Sequence, residues 1–152
     1  METYLAQFNV APLRYPLTDS RMKEFVDNID LVHRIADRVG GLIRRVQDES
    51  GNALHIPVLN NPNLVPNLTV WKDWQSLKTF VFKTMHKKFF DNREKWFSEY
   101  ARPKNVMWFV AANEVPTLTM QEGEQRILHL EKYGPTQYAF DWKYLENETV
   151  HG

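Results

Sequence analysis

Between Asn67 and Phe97 the chain changes period, and that change restricts the folds open to it. Asn67 to Lys72 alternates as a β-strand does, with Asn67, Thr69 and Trp71 on one face. Asp73 and Ser76 then supply side-chain oxygens suited to capping a helix. Beyond them Phe82, His86, Phe89 and Phe90 recur at three- and four-residue steps, the spacing of one helix face. The helix is expected to run to about Phe90, with a continuation through Trp96 and Phe97 left open. A strand that leads directly into a helix with one apolar stripe calls for a sheet against which that stripe is buried. On the stripe sits one imidazole.

The flanking segments repeat the same alternation of elements. Tyr4 to Val10 reads as a strand with Leu5, Gln7 and Asn9 on one face and Tyr4, Ala6, Phe8 and Val10 on the other. Thr18, Asp19 and Ser20 cap a helix over Arg21 to Val39, whose stripe is Phe25, Ile29, Val32 and Ala36; Gly40 and Gly41 end it. Leu42 to Gln47 is a second strand. Val106 to Ala112 is nearly continuous in apolar residues and reads as a central strand buried on both faces. Thr117 caps a last helix ending near Tyr133, with Gly134 and Pro135 behind it. Tyr138 to Trp142 is a short strand or a packed extension.

The resulting order is the ferredoxin-like βαββαβ arrangement, an α+β fold with an antiparallel sheet, helices on one face and an extra C-terminal helix. Residues 1–145 form a single domain and 146–152 a polar, flexible tail. A single helix layer would leave the second sheet face bare. A second copy packed sheet to sheet would cover it, which predicts a homodimer.

Composition removes several function classes. A chain of 152 residues with 43% hydrophobic and 13% aromatic residues can bury a core. Nineteen basic residues balance nineteen acidic ones, which argues against nucleic acid or an acidic membrane surface as partner. Without cysteine there is no disulfide framework, thiolate nucleophile or Cys-based zinc site. The five histidines are scattered rather than set at ligand spacing, so no metal site is expected. The N-terminus lacks a signal-peptide pattern, and no stretch approaches the roughly 20 apolar residues of a membrane helix. A soluble cytoplasmic protein is the expectation.

Three segments carry a resemblance: LAQFN, NLTVWKDWQSLKTFVFKTMHKKFFDNREKWF and ILHLEKYGPTQYAF. Together they resemble an uncharacterised, domain-of-unknown-function family of bacteria and fungi. That family stands within the dimeric α+β barrel superfamily, alongside antibiotic-biosynthesis-monooxygenase-like proteins. The match runs roughly from Tyr4 to Phe140. It rests on a Trp-containing strand, a His-bearing helix and Gly-Pro after the last helix. The resemblance implies a dimer and a pocket between each sheet and its helices. It does not imply one reaction, because the wider superfamily includes oxygenases, cyclases, isomerases, lyases and proteins that only bind.

The residues suggest where such a pocket would lie. If the faces bearing Gln7 and Asn9, Arg45 and Gln47, and Asn67, Thr69 and Trp71 coincide, the sheet carries a polar patch beneath the helices. Unpaired, each such buried group would cost roughly 1–3 kcal/mol. His86 above the patch suits general acid or base catalysis; the alternative is a structural histidine bonded to a carbonyl or to Thr69. Arg45 suits a carboxylate or enolate; the alternative is an ion pair with Asp48 or Glu49. Asn9, Gln47 and Thr69, with Trp71, Phe82, Phe89 and Trp108 as aromatic walls, complete the expected substrate site. Trp96 is a further aromatic candidate, although core packing suits at least two of the three tryptophans. His33 is read as a surface residue, with the same cavity as the alternative.

Two functional readings follow. In the first, an enzyme handles a small apolar or aromatic metabolite without a bound cofactor, by His-mediated proton transfer of the cyclase, isomerase, lyase or monooxygenase type. In the second, the same fold is a non-catalytic homodimeric binding or structural protein. A weaker third reading makes the chain a haem-binding or haem-degrading protein with His86 as axial ligand.

Overall fold

The computed structural model describes residues 2–47, 54, 56–82 and 92–151. His86, Phe89, Asp48 and Glu49 therefore lie outside the described residues, as does the stretch between the second helix and the helical residues 92–96. The described elements are β1 (Thr3–Pro12), α1 (Lys23–Val39), β2 (Leu42–Arg45), β3 (Leu64–Trp71), α2 (Trp74–Phe80), β4 (Asn105–Ala111), α3 (Met120–Tyr133) and α4 (Trp142–His151). The four strands form one sheet in the order β2-β3-β1-β4. Every neighbouring pair is antiparallel. This is the ferredoxin-like order expected from βαββαβ.

Local chemistry accounts for most element boundaries. Asp19 accepts a hydrogen bond from the Arg21 backbone N–H at 2.9 Å and opens a 3-10 turn over Ser20–Met22 that feeds α1. Gly40 and Gly41 end α1 with φ of 82° and 87°, a region that L side chains avoid. Asp73 caps α2 by accepting from the Ser76 N–H at 2.8 Å. Thr119, rather than Thr117, caps α3, because Ala112–Thr117 forms a 3-10 turn of its own.

The register sorts side chains onto two faces. On one face Leu5, Trp71 and Met107 pack with Val32 and Ala36 of α1, Leu77 and Phe80 of α2, and Phe140 and Leu145. On the other, Ala6, Phe8, Val10, Leu68, Val70, Val106, Trp108 and Val110 pack under Met120, Ile127 and Leu130 of α3. Helix α3 thus covers the second face of its own sheet. Phe8, Leu68 and Val106 are fully buried within a single chain. The premise of a bare face awaiting a second copy is corrected by this helix.

Three further expectations change. The Val106 segment is an edge strand rather than a central one; its apolar run reflects helices over both faces. Its outer edge is partly closed by paired hydrogen bonds between Met107 and Phe140, at 2.8 and 3.0 Å. β2 stops at Arg45, with a register shift between Leu42 and Arg44. Trp142–His151 is helical where the sequence suggests a strand or extension running into a polar tail. Among the described residues no helix is long and apolar enough to cross a membrane.

Candidate functional site

The helix-facing side of the sheet is polar at its centre. Arg45 pairs in register with Thr69, and Thr69 with Gln7, which makes one row across β2, β3 and β1. One step along the strands, Asn67, Asn9 and Asn105 make a second row across β3, β1 and β4. Side chains two residues apart share a face, so both rows look toward α1 and α2. Between these rows and the helices lies a cavity of about 1000 Å³. Phe25, Ile29 and Val32 of α1, Phe80 of α2 and Val65 and Trp71 of β3 supply apolar walls.

The floor is only partly self-satisfied. Gln7 and Thr69 are buried at 6% and 7% exposure. Gln7 Nε2 donates to Asn105 Oδ1 at 2.9 Å. The Asn105 Nδ2 group is buried with no partner among the described residues. Trp71 Nε1 donates to Thr69 Oγ1 at 2.9 Å, so the indole is pinned to the floor while its ring stacks on Phe80 with centroids 5.0 Å apart. Arg45 Nη1 meets Asp37 Oδ1 at 3.4 Å, and Arg45 Nε is buried without a partner among the described residues. Buried donors left unmade cost about 1–3 kcal/mol each, so this surface is poised for an acceptor.

The expected site residues divide. Asn9, Arg45, Thr69 and Trp71 line the cavity together. Arg45 pairs with Asp37 of α1, while Asp48 and Glu49 lie outside the described residues. Gln47 is exposed and is not among the cavity-lining residues, because β2 has ended two residues earlier. Phe82 is 52% exposed, edge-on to Trp142 at 6.0 Å and outside the lining. Trp108 sits opposite Ala6 and so points to the other face, with the Arg126 guanidinium 4.9 Å over its ring. Trp96 packs on Phe25 at 5.6 Å in a separate core cluster. His86 and Phe89 lie outside the described residues.

Among the lining residues that the sequence did not assign to the site are Asn105 and His33, the latter given the cavity only as its alternative. Asn105 follows the alternation of β4 backwards from Met107, but lies one residue before the apolar run that marks the strand. His33 lies on the cavity side of α1, one residue from Val32. Its pKa is held below the usual 6.5, first by burial and then by the Arg45 charge, against weaker opposing pulls from Asp30 and Asp37.

That shift predicts a pH dependence. Unfolded His33 binds its proton more readily than folded His33, so the stability it confers is complete above the unfolded value near 6.5 and is lost as pH falls through the lower folded value. The thermal midpoint of wild type should fall relative to that of His33→Gln as pH is lowered from about 8 to about 5. Parallel curves would refute this.

With this geometry established, comparison assigns the family. The chain belongs to the family described as a domain of unknown function, DUF3291, whose sequence model matches residues 4–151. This agrees with the resemblance carried by the three sequence segments. Similar solved structures include a conserved protein from Methanosarcina mazei Go1, with 14% identity, a TM-score of 0.48, and coverage of 72% of this chain and 92% of that one. A Pseudomonas aeruginosa protein has 11% identity and a TM-score of 0.47, covering 72% and 94%. A Nitrosomonas europaea protein named as a candidate antibiotic biosynthesis monooxygenase has 13% identity and a TM-score of 0.46, covering 73% and 90%. No curated protein matches the chain.

Proposed function

We propose that the cavity under α1 and α2 is the site of a small-molecule enzyme. Its substrate is a largely apolar or aromatic metabolite bearing a carbonyl oxygen. The substrate body rests between Trp71, Phe80 and Val32, and the oxygen meets donors of the floor. A histidine then moves a proton without a bound cofactor, and His86 is the candidate that the helical spacing of the sequence supports. When a proton leaves carbon, negative charge collects on the carbonyl oxygen, and Arg45 and the amide donors would stabilise it. Cyclisation, isomerisation, elimination and monooxygenation all use such a step.

One observation supports this reading: a cavity of about 1000 Å³ with apolar walls has a buried polar floor, and that floor contains donors lacking acceptors among the described residues. A self-contained core would satisfy those groups internally.

Co-crystallisation with a panel of small aromatic and alicyclic carbonyl compounds tests it. Ligand density touching Thr69 and Asn105 is the expected result. A ligand so found is then followed for chemical conversion by wild type and by His86→Gln, whose amide can hydrogen-bond but cannot relay a proton. Full conversion by the variant would remove the role of His86, and occupancy without conversion by either protein would leave a binding module.

A further inference from the structure

We infer that the ligand of this cavity is an anion, a small aromatic or apolar carboxylate, and that Arg45 is its anchor. The inference rests on the reading of the cavity as a small-molecule site and narrows the chemistry of what enters it.

The chain as a whole is electrically neutral, with nineteen cationic and nineteen anionic side chains. The cavity is not. Among the described residues its lining holds five cationic side chains against two carboxylates, Glu94 and Glu99. Four of those cations, at Arg14, Arg93, Lys95 and Lys104, are solvent-exposed. Charge of one sign around a concave, low-dielectric surface concentrates counter-ions there, so the entrance favours anions.

Arg45 is the cation set deeper, its side chain only 16% exposed. Its single described partner, Asp37, is 57% exposed and 3.4 Å away, a geometry that holds a guanidinium weakly. Its Nε is buried and donates to nothing among the described residues. A guanidinium presents its donors as a planar fork, which matches the two oxygens of a carboxylate. The neighbours along the floor, Thr69, Gln7 and Asn105, are uncharged, so one buried cation balances one negative charge. A phosphate dianion would be left undercompensated at that depth. His33, beside Arg45, adds a hydrogen-bonding nitrogen. A carboxylate held at Arg45 lays its attached ring along the row toward Gln7, beside Trp71 and Phe80.

The test is a titration of the full chain with aromatic and branched aliphatic acids, benzoate, phenylacetate and indole-3-acetate among them, each beside its own primary amide. Occupancy is read from the side-chain amide signals of Gln7 and Asn105. Acids are expected to bind at least about tenfold more tightly than their amides, with the preference shrinking as salt is raised. Arg45→Gln should erase the preference, and Arg45→Lys should keep part of it. Equal affinity of acid and amide in the wild-type protein overturns the inference while leaving the cavity a small-molecule site. Failure of every compound to perturb those signals overturns both. Because the acid–amide comparison is made in the wild-type chain, it holds even if an Arg45 variant fails to fold.

Discussion

Trp71→Ala is expected to destabilise the protein by about 3–5 kcal/mol, the usual range for removing a buried indole. Trp71 is 1% exposed, stacks on Phe80 and ties its Nε1 to Thr69. Truncation removes the transfer energy of the ring, the stacking contact and the hydrogen bond together. It also opens the space into an existing cavity, so the surroundings have little with which to refill it. Domains of this size are stable by only about 5–15 kcal/mol, and each kcal/mol moves the thermal midpoint by roughly 2–4 °C. A fall of roughly 6–20 °C is therefore the expected reading. Trp71→Phe keeps the stack and loses the Thr69 bond, at a cost of about 1–2 kcal/mol. An alanine variant within about 1 kcal/mol of wild type would show that Trp71 does not hold α2 to the sheet.

Gly123→Val should cost about 3 kcal/mol, despite replacing glycine within a helix. Glycine normally lowers helix stability by about 1 kcal/mol relative to alanine, so an exposed position would gain from a side chain. Here a Cβ at position 123 would overlap the Phe8 ring and approach the Phe8 Cβ at 3.0 Å. Phe8 is fully buried at the centre of the face that α3 covers. Valine therefore forces α3 away from β1 or Phe8 out of its rotamer. Phe8→Leu frees space at the same point, so the double variant should lose clearly less than the two single losses combined. Strict additivity in urea melts would mean that the helix and the strand do not meet at this contact.

The two predictions bear on opposite faces of one sheet, and the faces were not equally legible in the sequence. The period-two pattern of Leu5, Gln7 and Asn9 was visible because each residue's side is set by its neighbours two positions away. The caps at Asp19 and Asp73 and the stop at Gly40 were visible for a similar reason: they act within one turn. Gly123 carried no such signal, because what it permits is contact with a strand more than a hundred residues away. The same holds for Trp108, which alternation alone could assign to either face.

The candidate site divides along that line. Asn9, Thr69 and Trp71 follow from alternation within strands of correct phase. Gln47 does not, since β2 ends at Arg45, beyond a register shift between Leu42 and Arg44. Asn105 and His33 reach the cavity through pairing and helix rotation, and Arg45 finds Asp37 across the gap between β2 and α1.

Local periodicity and capping, interactions reaching two to four residues, were enough to determine the order of elements from β1 to α3 and which residues of a strand share a side. Tertiary structure alone decided that α3 covers the second face, that β4 lies at an edge, and that a polar floor, with donors unpaired among the described residues, meets an apolar roof. Those outcomes depend on register and packing between segments far apart in the chain, where the energy of each contact exists only once both partners are in place.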